Sequence, residues 1–204
     1  MGEACARAGR EASEVSLVAV TKTVDVAECA ALLELGVTHL GENRVEQAEP
    51  KIASIGDQAH WHMIGSVQRR KAKRVAVMFD RVDSVGRLEL AAALNDGAAD
   101  RPGPLPVLVQ VNTSGEASKH GFSQEDLPAA LDASRALPNL RVEGLMTMAP
   151  FEAEPEETRP VFRALAELAR AHGLSVLSMG MTNDFEVAIE EGATEVRIGT
   201  ALFQ

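Results

Sequence analysis

The chain has 204 residues, 46% hydrophobic and 25% charged, which suits a compact soluble domain and is long enough for an α/β barrel without a division in two. Its formal net charge of −10 opposes nonspecific binding to nucleic acid or to anionic membrane surfaces, although it permits a small anion in a local site. Two cysteines without CxxC spacing, Cys5 and Cys29, read as free thiols; with no signal-peptide core at Met1-Gly-Glu-Ala-Cys-Ala-Arg7 and no run of transmembrane length, a cytoplasmic protein is expected.

Along the chain, short β-branched or apolar runs alternate with amphipathic stretches. Strands are predicted at Ser16–Val20, Thr38–Gly41, His60–Ile64, Arg81–Val85, Val107–Val111, Val142–Met146, Ser175–Met179 and Glu195–Ile198. Helical patterns fall at Val26–Leu35, Arg44–Ser54, Arg69–Val77, Arg87–Leu94, Leu127–Ala136, Val161–His172 and Phe185–Glu191. Asp25 with Glu28, and Asn183 with Glu186, have the spacing of capping boxes, and Gly36, Gly173 and Gly192 fit positions just past helix ends. Asp96–Pro106 reads as a flexible loop, and Glu3–Ala12 as a helix covering the flank left where the chain stops at Gln204, shortly after the last strand. Eight strands with intervening helices predict a TIM-like (β/α)8 barrel. The alternative is an open doubly wound sheet, weakened by the absence of GxGxxG.

In a parallel barrel, chemistry collects where strands end. Lys22 stands just past Leu17-Val-Ala-Val20, where an amine is costly to bury; desolvation favours a neutral amine able to attack a carbonyl, although a strand-end lysine that reaches solvent is an equal reading. Asn43 follows Gly41-Glu42, and it either bonds a ligand or caps the next helix. Met146, the segment Ser178-Met-Gly-Met-Thr182 and Arg197-Ile-Gly-Thr200 end later strands. The small residues of Ser178–Thr182 suit a phosphate cradle or merely a tight turn, and Arg197 suits an inward guanidinium or a buried ion pair. One amine, several hydroxyls, glycine-flanked loops and an arginine at one mouth fit an anionic carbonyl compound such as pyridoxal 5′-phosphate (PLP). His60 and His62 share a strand face but lack a third ligand at supporting spacing, so no metal is expected. Gln68–Arg74, a basic island, reads as a solvated helix face.

Leu17-Val-Ala-Val-Thr-Lys-Thr23, Leu40-Gly-Glu-Asn43, Trp61-His-Met-Ile-Gly65, Gly144-Leu-Met-Thr147, Ser178-Met-Gly-Met181 and Glu191-Gly-Ala-Thr-Glu-Val-Arg-Ile-Gly-Thr200 together resemble the pyridoxal phosphate homeostasis protein family (YggS/PROSC-like), over nearly the whole chain. Ser66 stands where members often carry His, and Thr182-Asn183 replace a more usual serine-led pair. The resemblance implies one PLP-binding barrel domain over residues 1–204, similar to the alanine racemase N-terminal domain, with PLP on Lys22. It implies Arg197 at the pyridine nitrogen, phosphate contacts at Ser178, Met179, Gly199 and Thr200, and Asn43 and Met146 lining the cofactor.

The chain has no tyrosine. Alanine racemases, which resemble this barrel, use a tyrosine as second base and a second domain, so a non-catalytic carrier that supplies PLP within vitamin B6 homeostasis is expected. PLP-dependent apoenzymes are its expected recipients, and a monomer its expected state. The alternatives are a PLP-dependent amino-acid racemase or lyase with weak activity, and a sugar-phosphate Schiff-base enzyme in which Lys22 holds substrate.

Overall fold

A computed structural model of the chain describes residues 1–116 and 120–203, so the stop at Gln204 lies outside the described residues. Eight strands close into a parallel barrel in sequence order: β1 (Ser16–Val20), β2 (His39–Glu42), β3 (His60–Met63), β4 (Arg81–Val85), β5 (Leu105–Gln110), β6 (Leu140–Met146), β7 (Val176–Ser178) and β8 (Glu195–Ile198). Closure is the β1–β8 pairing, with Val18 opposite Arg197 and Ala19 opposite Ile198. Around it lie α1 (Gly2–Arg7), α2 (Val26–Glu34), α3 (Val45–Ile55), α4 (Ala72–Met78), α5 (Leu88–Gly97), α6 (Leu127–Arg135), α7 (Arg159–Ala171) and α8 (Phe185–Glu190). This excludes the open doubly wound sheet.

The strands are short because each needs only to cross the barrel wall, and Val, Leu and Ile fill the layer between sheet and helices. One part of that layer packs Leu40, Trp61, Phe79, Leu90 and Leu94 beneath α2–α5; another packs Leu131, Phe162, Leu165, Ile189 and Val196 beneath α1 and α6–α8. The Asp25 capping box forms: its carboxylate accepts from the Ala27 and Glu28 N–H groups at 2.8 and 3.1 Å, and Glu28 accepts from Asp25 N–H at 2.8 Å. Gly36, Gly173 and Gly192 take positive φ just beyond α2, α7 and α8, as their spacing predicts.

Three local expectations are corrected. Asn183 does not cap α8; the residue before that helix is Asp184, whose carboxylate turns back to accept Met181 N–H at 2.6 Å. Asp96–Pro106 is not all loop: α5 runs to Gly97, whose bare Cα packs against the α4 backbone at Lys73, and β5 begins at Leu105. The first helix stops at Arg7, short of Ala12, and it is tied to α8 and the turn after it: Arg7 pairs with Glu186 and Glu190 at 2.5 and 2.9 Å, and Arg10 donates to the carbonyls of Ile189 and Ala193.

Candidate functional site

The C-terminal ends of β1, β6, β7 and β8 enclose a cavity of about 440 Å³, lined by Val20, Lys22, Thr23, Pro150, Phe151, Ala153, Met181–Asp184, Arg197, Gly199 and Thr200. Lys22 is exposed, so the expected burial of its amine is corrected: the residue sealed at the end of β1 is Thr21, and Lys22 lies beyond it in a turn closed by Val24 N–H donating to the Thr21 carbonyl at 3.2 Å. The amine therefore stands at the mouth with access to solvent.

Arg197 is 4% exposed and donates from Nη1 to Ser178 Oγ at 2.8 Å and from Nη2 to the Thr147 carbonyl at 2.9 Å. These use two of its five N–H groups and leave others for a cavity ligand. Burial lowers its pKa, opposed by the charges of Asp83, Asp184 and Glu195. Arg197 stays cationic at ordinary pH because its starting value is so high.

Two loops, Met181–Asp184 and Gly199–Thr200, also line the cavity. Gly180, at φ 92, lets the β7–α8 loop fold tightly against α8; a Cβ there would lie 2.5 Å from the Ala188 side chain. Met181 N–H is taken by Asp184, whereas the N–H groups of Thr182, Asn183, Gly199 and Thr200 donate to no group among the described residues. Four such donors, carried by cavity-lining residues of two loops, suit an anion with several acceptor oxygens. Burial raises the Asp184 pKa, against the lowering effects of Met181 N–H and Arg197.

Of the eight residues singled out in the sequence, Lys22, Arg197, Gly199 and Thr200 line this cavity. Ser178 and Met179 are fully buried behind it, with the Ser178 hydroxyl given to Arg197, and Met146 is buried at the end of β6. Asn43 is half-buried and lines a neighbouring cavity of about 310 Å³ with Arg44, Ser66, Gln68 and Lys71. Phe151, 78% exposed on the rim, had no sequence signal, because a lone aromatic in a loop has no periodicity to mark it.

Beneath Arg197 the barrel bore is charged. Arg81, on β4, donates to Asp83 at 2.7 and 3.0 Å and to Glu195, on β8, at 2.8 Å through Nη1 and again through Nη2. Since β4 and β8 are not neighbours, this pair crosses the bore. Burial is the largest single influence on each, lowering the Arg81 pKa and raising that of Asp83, but the opposing attractions together outweigh it: Asp83 with Glu195 raises Arg81, and Arg81 with His62 lowers Asp83. His62 Nε2 lies 2.9 Å from His39 Nδ1, and its buried Nδ1 faces Asp83 at 3.6 Å without a hydrogen bond. Donor atoms of His62, Asp83 and Glu195 lie within 4.8 Å of one another, supplying the convergence that His60 and His62 lack in sequence. Arg81 already bonds both carboxylates and so serves as the cation of this cluster.

Residues 4–204 match the family described as the alanine racemase N-terminal domain. The pyridoxal phosphate homeostasis protein of Pseudomonas aeruginosa is 45% identical over 98% of this chain and 89% of its own length; that of Escherichia coli K12 is 38% identical over 98% and 89%. The structure of PipY from Synechococcus elongatus with PLP bound is 33% identical, with a TM-score of 0.85 over 100% of this chain and 99% of that one. An alanine racemase of Clostridium difficile, 18% identical with a TM-score of 0.73 over 93% of this chain and 52% of that one, shares the fold. The barrel, its cavity and these likenesses agree: the chain belongs to the pyridoxal phosphate homeostasis protein family, built on the alanine racemase N-terminal domain fold.

Proposed function

We propose that the chain binds PLP in the cavity at the barrel mouth, tethers it through Lys22, and holds it for delivery to PLP-dependent apoenzymes in the cytoplasm. The observation that carries this reading is the pairing, on one 440 Å³ cavity, of an exposed lysine with four backbone N–H groups that have no partner among the described residues and a buried guanidinium. Membership of a family named for PLP homeostasis and the PLP-bound PipY relative support it.

The donor set fits the cofactor. Thr182, Asn183, Gly199 and Thr200 would take the phosphate, and Arg197 would donate to the pyridine nitrogen. When bound, PLP supplies an aldehyde that can condense with the Lys22 amine to a Schiff base, releasing water. Ser178 and the Thr147 carbonyl hold the guanidinium plane, and a cation that stays protonated would disfavour a proton on a pyridine nitrogen held there. The exposure of Lys22 would leave a cofactor held on it open to exchange with an incoming amine, as handover requires.

A carrier is favoured over a racemase or lyase by what the wall offers for proton transfer. Racemisation needs one proton removed and another delivered on opposite faces. The chain has no tyrosine, and besides Lys22 the carboxylate among the lining residues is Asp184, engaged with Met181 N–H beside Thr182 and Asn183. The test is the absorbance spectrum with PLP before and after a free amine, together with α-proton exchange of amino acids in deuterated water. Amine-driven release without exchange supports the carrier; rapid exchange overturns it in favour of an enzyme.

A further inference from the structure

Behind the end of β1, on the side facing the helices, lies a buried ionic network that the cavity does not include. Lys51, on α3, is 6% exposed and Glu42, at the end of β2, is fully buried. Lys51 Nζ donates to Glu42 Oε1 at 2.7 Å and to the Thr21 carbonyl at 2.6 Å, while Thr21 Oγ1 donates to the same Glu42 oxygen at 2.6 Å. Thr21 N–H donates to the Gly41 carbonyl at 3.0 Å. The Thr21 carbonyl thus receives two donors: the Lys51 ammonium, and the Val24 N–H that closes the turn in which Lys22 is the first inner residue.

Such a network is a poor way to stabilise a protein. A buried ion pair loses hydration that its mutual attraction barely recovers, and apolar replacements of similar volume are often neutral or better. Glu42 Oε2 is also buried without a hydrogen-bond partner among the described residues, a further cost. What the network does achieve is directional. Every bond in it ends on Thr21, on Glu42 or on the strand end joining them, and the next residue in the chain is Lys22.

We propose that Lys51 and Glu42 are positioning residues, fixing the Thr21 carbonyl and with it the turn that aims the Lys22 amine into the cavity. The proposal deepens the assignment of Lys22 as the PLP tether and rests on that reading. Neither residue touches the cofactor site; both act through the β1 end.

The test uses Lys51→Met and the double variant Glu42→Leu/Lys51→Met, in which apolar side chains replace the whole pair. Thermal unfolding of the protein without PLP reads the structural contribution. Hydrogen exchange of the Leu17–Val24 segment, measured against that of β5, reads the fixity of the turn. The rate of borohydride-trapped pyridoxyl addition at Lys22, by peptide mass, reads its aim. In the double variant the thermal midpoint should remain near that of the unchanged protein while exchange at Leu17–Val24 rises about tenfold or more and trapping at Lys22 slows by about ten- to a hundredfold. A double variant that recovers stability together with unchanged exchange and unchanged trapping overturns the proposal, showing the pair to be structural filling. If the unchanged protein gives no adduct at Lys22, the tether assignment fails, and the exchange comparison still decides whether the pair fixes the turn.

Discussion

Arg81→Met is the sharpest test of the charged bore. The methionine keeps an unbranched apolar stem but removes every hydrogen bond that Arg81 makes to Asp83 and Glu195, leaving Asp83 fully buried with His62, at 3.6 Å, as its nearest remaining ion-pair partner among the described residues. Breaking a buried pair by removing one partner costs about 3–5 kcal/mol, because the remaining charge stays desolvated. Against a total stability of about 5–15 kcal/mol, that lowers the thermal midpoint by about 6–20 °C in a chain of this size. The sign with pH follows from Asp83, whose folded value is held below the ordinary aspartate value. A depressed carboxyl stabilises the fold above the unfolded value of about 3.9, and that contribution is lost as pH falls through the folded value. The gap between the two proteins is therefore widest near neutrality and narrows in acid. Urea unfolding at pH 7 and at pH 3, below the unfolded aspartate value, measures it, and replacing Asp83 and Glu195 with leucine and methionine as well should recover most of the loss. A deficit below about 1 kcal/mol at pH 7, or a triple variant as unstable as the single one, would refute the reasoning.

Arg197→Gln should alter the absorbance of bound PLP more than it weakens attachment, since the phosphate donors and Lys22 are untouched; complete loss of PLP in equilibrium dialysis contradicts that role for Arg197. His39 should make the fold acid-sensitive. Its pKa is lowered by burial and by His62 and His60, partly offset by Glu195, with Arg81 adding to the lowering. The unfolded chain then binds the proton first, so stability falls as pH drops below about 6.5, the ordinary histidine value. Denaturant midpoints from pH 7.5 to 5.5 should show this slope, and His39→Gln should flatten it; an unchanged slope in the variant assigns the effect elsewhere.

The barrel was largely legible from pattern. Strands β1, β4 and β8 fall at their predicted bounds, because β-branched runs flanked by capping residues and glycines mark a buried parallel strand in one dimension. The strand ends also pointed to Lys22, Arg197, Gly199 and Thr200, which line one cavity. Burial at those ends was less legible. Thr21 and Lys22 are adjacent, and which of them is sealed depends on α3 closing over Thr21 with its own lysine. Lys51 did leave a trace: it occupies the inward stripe of α3 with Val45, Ala48 and Ile55, where a lysine is out of place. The Arg81–Glu195 pair left none, since its partners are 114 residues apart and meet only when the barrel closes.

Borohydride reduction of the protein with PLP, followed by peptide mapping, tests the central claim most directly. The tether reading predicts one pyridoxyl group per chain, carried on Lys22, with Lys22→Ala abolishing it while leaving the thermal midpoint nearly unchanged, because the side chain is exposed. A pyridoxyl group placed on another lysine, or undiminished labelling of Lys22→Ala, would contradict it.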